Sequence, residues 1–169
     1  MIPLQRILLG VGCLSLALLS GTALAGACAV STSGLAFGAY QPLAFPGKSS
    51  SADVTSTATI SVNCTGIAAG SGYTISLGPG SYGPGDRISA RYLNNITNGG
   101  AYMNYNVYVD AGYISAWGNG TTGALLSGSI TAGSSSRSHT VYGSVPSGQS
   151  ALRAGSYSDT LTVILTYNP

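Results

Sequence analysis

Gly78-Pro79-Gly80-Ser81-Tyr82-Gly83 has the glycine spacing of a dinucleotide-binding turn. Such a turn works by presenting the free N–H groups of a following helix to a pyrophosphate. Here Pro84-Gly85 follows, so the segment is a loop without that chemistry. Gly47-Lys48-Ser49 looks like the end of a phosphate loop, but Pro42 stands where the first glycine belongs. For hydrolysis, the chain offers a single histidine, His139, in Ser136-Arg137-Ser138-His139-Thr140-Val141. Serines are abundant enough for a Ser–His–Asp set to be drawn on paper, yet no nucleophile elbow precedes a helix. His139 therefore reads as a surface or strand-edge residue. The acids are Asp53, Asp86, Asp110 and Asp159, scattered and without glutamate, so no carboxylate pair for glycoside cleavage is indicated. One histidine and a pair of cysteines do not make a zinc site. The expectation is a protein with no catalytic residues, no metal and no cofactor, and not an enzyme.

The aromatic residues suggest contact rather than catalysis. Tyr113 and Trp117 flank the loop Gly112-Tyr113-Ile114-Ser115-Ala116-Trp117-Gly118-Asn119-Gly120. Exposed Tyr and Trp pair a large apolar face with a polar tip and can stack on sugars or apolar surfaces. Tyr113 and Trp117 are thus candidates for a surface-recognition loop, although Trp117 reads first as a buried core residue of the sandwich. Asn63, Asn95 and Asn119 each start an Asn-x-Ser/Thr triplet, which a chain so rich in Asn and Thr produces readily.

The elements that must position these residues have a period of two. From Asp53 to Cys64, Val54, Ser56, Ala58, Ile60, Val62 and Cys64 alternate with Thr55, Thr57, Thr59, Ser61 and Asn63. Tyr73, Ile75 and Leu77 alternate with Thr74 and Ser76, and Met103, Tyr105, Val107 and Val109 with Tyr102, Asn104, Asn106 and Tyr108. At the end, Leu161, Val163, Leu165 and Tyr167 alternate with Thr160, Thr162, Ile164 and Thr166. This is the pattern of half-buried strands. Turn signals separate the runs: Phe45-Pro46-Gly47, Gly78-Pro79-Gly80, Gly83-Pro84-Gly85, Asn98-Gly99-Gly100, Gly118-Asn119-Gly120 and Pro146-Ser147-Gly148. No helical stripe is present. The fold class expected is all-β, an antiparallel sandwich or barrel.

The N-terminus reads as an export signal. Arg6, an apolar run from Ile7 to Leu19 and the small residues up to Ala25 make a secretory signal peptide over residues 1–25, with Ala27 as the alternative cleavage position. The run is too short for a membrane-spanning helix, and no second one follows. Lipidation at Cys28 is a weaker reading, because Ala25 stands where leucine is usual. Residues 26–169 then form one exported domain. It has four acids against Lys48, Arg87, Arg91, Arg137 and Arg153, a near-neutral balance with no footprint for nucleic acid. Cys13 leaves with the signal peptide. Cys28 and Cys64 remain and are expected to form a disulfide, with free thiols or a metal pair as the alternative.

Several short motifs, in order, give the chain a resemblance. Leu35-Ala36-Phe37-Gly38-Ala39-Tyr40 follows the early Cys28, and Ile60-Ser61-Val62-Asn63-Cys64 carries the second cysteine. Then come Arg91-Tyr92-Leu93, Met103-Asn104-Tyr105-Asn106-Val107-Tyr108-Val109-Asp110, Trp117-Gly118-Asn119-Gly120-Thr121 and Val141-Tyr142-Gly143. Pro146, Gln149 and Ala154-Gly155-Ser156-Tyr157-Ser158-Asp159-Thr160-Leu161-Thr162-Val163 complete the set. In these segments the sequence resembles the spore coat protein U domain family, which includes subunits of archaic, Csu-type chaperone–usher pili.

The resemblance implies an incomplete immunoglobulin-like antiparallel sandwich, completed by a strand donated from a neighbouring subunit. It implies a periplasmic chaperone, an outer-membrane usher and other pilus subunits as partners, and a place on the cell surface or in a pilus, reached through the periplasm. Adhesion to surfaces and biofilm formation would be the role. The donor-strand groove is expected between Leu161, Val163, Leu165 and Tyr167 on one wall and Leu35 and Phe37, on the first strand, on the other. One departure stands out. Shaft subunits carry their donor segment ahead of the first cysteine, whereas cleavage after Ala25 leaves only Gly26 and Ala27 there. A terminal, tip-like subunit that accepts a strand and gives none is the expectation. A coat-like structural protein outside any pilus is the alternative.

Overall fold

A computed structural model describes residues 26–41, 52–83, 87–131 and 133–167. The expected signal peptide, the Phe45-Pro46-Gly47 turn and the Gly47-Lys48-Ser49 segment lie outside the described residues. The strands are β1 (Ala27–Thr32), β2 (Val54–Thr65), β3 (Gly72–Leu77), β4 (Arg91–Asn95), β5 (Tyr102–Tyr108), β6 (Leu126–Ser129), β7 (Ser134–Val145), β8 (Tyr157–Ser158) and β9 (Val163–Tyr167). Every ladder between them is antiparallel. The fold is all-β.

Two sheets result: a larger one in the order β1-β2-β7-β5-β4-β8, and a smaller one in the order β6-β3-β9. Alternation explains which faces meet. Ala58, Ile60, Val62 and Cys64 of β2 are buried, while Thr55, Thr57, Thr59 and Asn63 between them are exposed. Met103, Tyr105 and Val107 of β5 and Val141 and Val145 of β7 join the same apolar layer, and Tyr73, Ile75 and Leu77 of β3 face it from the smaller sheet. Burying these side chains between two layers is the main driving force for the fold. The arrangement is that of an immunoglobulin-like sandwich, with β1, β2, β7 and β5 in one layer and β3 and β9 in the other.

Cys28 stands directly opposite Cys64 in the β1–β2 ladder, and the two form a disulfide. It ties the outermost strand of the larger sheet to its neighbour. The last bond of that ladder region runs from Ser33 N–H to the Thr59 carbonyl, at 3.1 Å. Gly34 then takes a φ of 73°, a conformation that other L residues adopt only under strain, and the chain leaves the sheet. This corrects the placement of Leu35 and Phe37 on the first strand. They lie in an extended segment that crosses the inner face of the larger sheet instead, where a side chain at Gly143 would collide with both.

Candidate functional site

The smaller sheet ends on β9. It hydrogen-bonds to β3 from Tyr73↔Tyr167 to Leu77↔Val163, and among the described residues no strand pairs with its other edge. Ile164 points outward and is 52% exposed, whereas Val163, Leu165 and Tyr167 turn towards the core and are half-buried. Beside β9 opens a cleft of about 970 Å³. Leu161 and Val163 form one side, Leu35 and Phe37 the other, and Met103, Val107 and Trp117 lie among the residues beneath. Leu165 and Tyr167 continue the Val163 face but do not line this cleft. They pack on the core, and β1 comes close to β9. An unpaired strand edge together with an apolar cleft can receive an extended chain, whose backbone completes the sheet while its alternate side chains fill the cleft.

Each side of the cleft is fastened. Tyr40, at the end of the Leu35–Phe37 segment, donates its hydroxyl to the Pro146 carbonyl at 2.9 Å and accepts the Gln149 N–H at 3.0 Å. Gln149 in turn exchanges hydrogen bonds with the Asn104 backbone, through Oε1 at 2.7 Å and Nε2 at 3.0 Å. On the other side, Asp159 precedes Leu161. Its carboxylate accepts the N–H groups of Ser81 and Thr160, both at 2.8 Å, and the Tyr105 hydroxyl at 2.7 Å. Burial, reinforced by the Asp159 carboxylate, raises the Tyr105 pKa far above that of an ordinary phenol, so Tyr105 acts as a donor across the physiological range.

Beneath these contacts lies a buried polar knot. Arg91 donates Nη1 to Asn106 Oδ1 at 2.6 Å, and Nη2 to the carbonyls of Gly78 and Trp117 at 2.9 and 2.8 Å. It thereby links β4 and β5 to the turn after β3 and to the chain at Trp117.

Trp117 is 2% exposed and sits in the core, its indole N–H donating to the Ile75 carbonyl at 3.0 Å. The expectation of Trp117 in a surface-recognition loop is therefore corrected. A partner for the indole N–H exists inside, and burial of so large a ring is favourable once that donor is met. Tyr113 is half-buried. Its ring lies edge-on to Tyr108, with centroids 5.6 Å apart, and to Tyr142 at 6.3 Å. The loop around it is rigidly built. Asp110 accepts the N–H groups of Ser115, Gly112 and Ile114 at 2.7, 3.0 and 3.2 Å, and Tyr113 takes a φ of 55°. These bonds, that to Ser115 foremost, hold the Asp110 carboxyl below its ordinary pKa. Ile114, next to Tyr113, is 85% exposed.

His139 is placed in the middle of β7 rather than before a strand, and its Nε2 lies 2.8 Å from the Tyr73 hydroxyl of the smaller sheet. Gly78–Gly83 follows β3 as a non-helical segment. Among the described residues, no three His, Cys, Asp or Glu side chains are grouped to hold a metal ion, and no helix is long and apolar enough to cross a membrane.

Tyr105, Asp159 and Tyr40 were not singled out by the sequence reading as groove residues. A faint signal was present for the first pair. A tyrosine on the buried stripe of β5 needs a partner for its hydroxyl, and only four aspartates exist to supply a carboxylate.

The Spore Coat Protein U domain family matches residues 14–164. Protein U of Myxococcus xanthus is 30% identical over 150 residues, a match covering 84% of this chain and 78% of that protein. Among solved structures, similarity extends to the crystal structure of the CsuC–CsuE chaperone–tip adhesion subunit pre-assembly complex from archaic chaperone–usher Csu pili of Acinetobacter baumannii. That likeness has a TM-score of 0.49 at 19% identity, and covers 83% of this chain but only 39% of the other. On the extent of the family match and the identity with Protein U, this chain belongs to the Spore Coat Protein U domain family.

Proposed function

We propose that this protein is a structural and adhesive subunit of a secreted chaperone–usher pilus, and that its cleft accepts a strand from a neighbouring subunit. The observation that carries the reading is the edge of β9 that no other described strand pairs with, beside an apolar cleft. Strand addition there satisfies the backbone groups of β9 and covers Leu161 and Val163 in one step. Leu35 and Phe37 form the opposite wall, whereas Leu165 and Tyr167 pack on the core outside the cleft. Before assembly a periplasmic chaperone supplies the missing strand, and an outer-membrane usher passes the subunit to the surface. Tyr113, on its braced loop beside Ile114, is the candidate for contact with a surface during attachment and biofilm formation.

The test is co-expression with a periplasmic chaperone followed by affinity capture. A one-to-one complex, dissolved by a donor-strand peptide, is expected. A stable purified monomer that binds neither chaperone nor peptide would sink the proposal. A coat component built by the same strand addition outside any pilus is the second reading, favoured by the family's description as a spore coat domain. In that case the protein assembles in the absence of chaperone and usher.

A further inference from the structure

Tyr105 touches both sides of the cleft. Its ring lies edge-on to Phe37 with centroids 5.9 Å apart, and its hydroxyl donates to Asp159 Oδ2 at 2.7 Å. The ring projects inward from β5 of the larger sheet and is 4% exposed. Phe37 belongs to the extended segment after β1, and Asp159 opens the segment that leads through Leu161 into β9. At the points where Tyr105 meets them, both segments lie outside the strands. Asp159 is also fixed from behind. Ser81 donates its N–H to the carboxylate and its hydroxyl to the Thr160 carbonyl, at 2.8 and 3.1 Å. At Gly80 a side chain would collide with that carboxylate, so the turn after β3 closes directly on it.

An apolar cleft of this size is under pressure to close. Bringing Leu35 and Phe37 onto Leu161 and Val163 would remove apolar surface from water, and the Leu35–Phe37 segment, outside the described strands, has no ladder bonds to resist it. A hydrogen bond from a buried phenol to a carboxylate does resist it, because breaking it strands the desolvated Tyr105 hydroxyl. We propose that Tyr105 is a positioning residue for the cleft: it fixes the separation of the two sides, so that an incoming strand meets an opening already formed. The inference rests on the strand-accepting reading above. Its consequence is kinetic, since a preformed site lowers the cost of binding without adding a contact to the ligand.

The experiment follows association by stopped-flow fluorescence anisotropy, using the full secreted chain and a labelled peptide of about ten alternating valines and threonines, the length of a long strand. Tyr105→Phe keeps the ring on Phe37 and loses only the hydroxyl. It is expected to slow association about tenfold, the effect of one charge-assisted hydrogen bond, and to change dissociation less. Asp159→Ala cuts the same bond from the other end, and the double variant is expected to be no slower than the slower single one. Ile130→Val, in the core beside β6 and outside the cleft lining, controls for lost stability and is expected to associate like the wild type. Equal rates for Tyr105→Phe and wild type, or equal slowing in Ile130→Val, overturn the positioning role while leaving strand acceptance intact. Additive effects of the two cleft variants overturn it as well. A wild-type protein that does not bind the peptide overturns the reading beneath it.

Discussion

Arg91 and Asn106 meet in the core, with Nη1 of the first 2.6 Å from Oδ1 of the second. Arg91 is 0% exposed. A guanidinium at such a site persists because carbonyl and carboxamide oxygens are arranged around it, and Asn106 is itself held by its Nδ2 bonds to the carbonyls of Ile88 and Ser89 at 3.2 and 3.0 Å.

Removing Arg91 therefore leaves several buried acceptors unmet. Arg91→Met, which keeps most of the side-chain length, is expected to lower stability by about 3 kcal/mol or more, the usual cost of stranding more than one buried polar group. Urea unfolding checks this. The midpoint should fall at constant slope. An unchanged midpoint would show that the knot is replaceable by apolar contact.

The Cys28–Cys64 disulfide closes a loop with a sequence separation of 36. In the chain-entropy account this constrains the unfolded chain by about 3–4 kcal/mol. Cys64→Ser should reduce stability by that order and the yield of folded exported protein with it. Denaturant midpoints for the variant, and for the wild type with reductant, should coincide. A normal yield and midpoint would make the bond incidental.

Much of this fold was legible because alternation survives wherever a strand has one face in the core. β2 announces itself through Ile60, Val62 and Cys64 against Thr59, Ser61 and Asn63. β7 did so only in its second half. Ser135, Arg137 and His139 occupy the inward positions of its first half, and they remain partly or fully exposed, so no apolar stripe marks them. Residues 160–162 continue the β9 pattern on paper yet lie before the strand, where the Thr160 and Thr162 carbonyls accept Ser81 Oγ and Gly78 N–H. Of the site, Leu35, Phe37, Leu161 and Val163 could be found from their spacing and family motifs. The Tyr105–Asp159 tie was only faintly marked, since it joins residues 54 positions apart and no local pattern encodes a long-range hydrogen bond. Trp117 was ambiguous. Its apolar face and polar tip are compatible with a surface loop as well as with the core, and its direction is decided by the Ile75 carbonyl in a different strand.

His139 should make stability depend on pH. Burial, and then the neighbouring Arg137 charge, lower its pKa below the ordinary 6.5. The groups facing it are Arg137 on its own strand and Tyr73 across the sheets. The unfolded chain therefore binds a proton more readily than the folded one. Stability is fully present above about 6.5 and is lost as pH falls from there through the folded value. Thermal melts between neutral and mildly acid pH should show a declining midpoint in the wild type and a flatter profile in His139→Gln. A midpoint that rises on acidification would reverse the sign of the shift.

Val163 and Ile164 are adjacent residues on opposite faces of β9, and the pair isolates the cleft from the strand that borders it. Val163 is half-buried and lines the cleft, whereas Ile164 is exposed on the outer face. A carboxylate at the first position would be carried into an apolar groove with no partner when a strand enters, a cost of several kcal/mol. At the second it remains in water. Val163→Asp is thus expected to abolish capture by chaperone or donor peptide, and Ile164→Asp to leave it near the wild-type level. Circular dichroism establishes that both variants are folded before binding is compared. Equal binding by the two variants would remove β9 from the acceptor site, and loss of binding in both would mean that its outer face takes part as well.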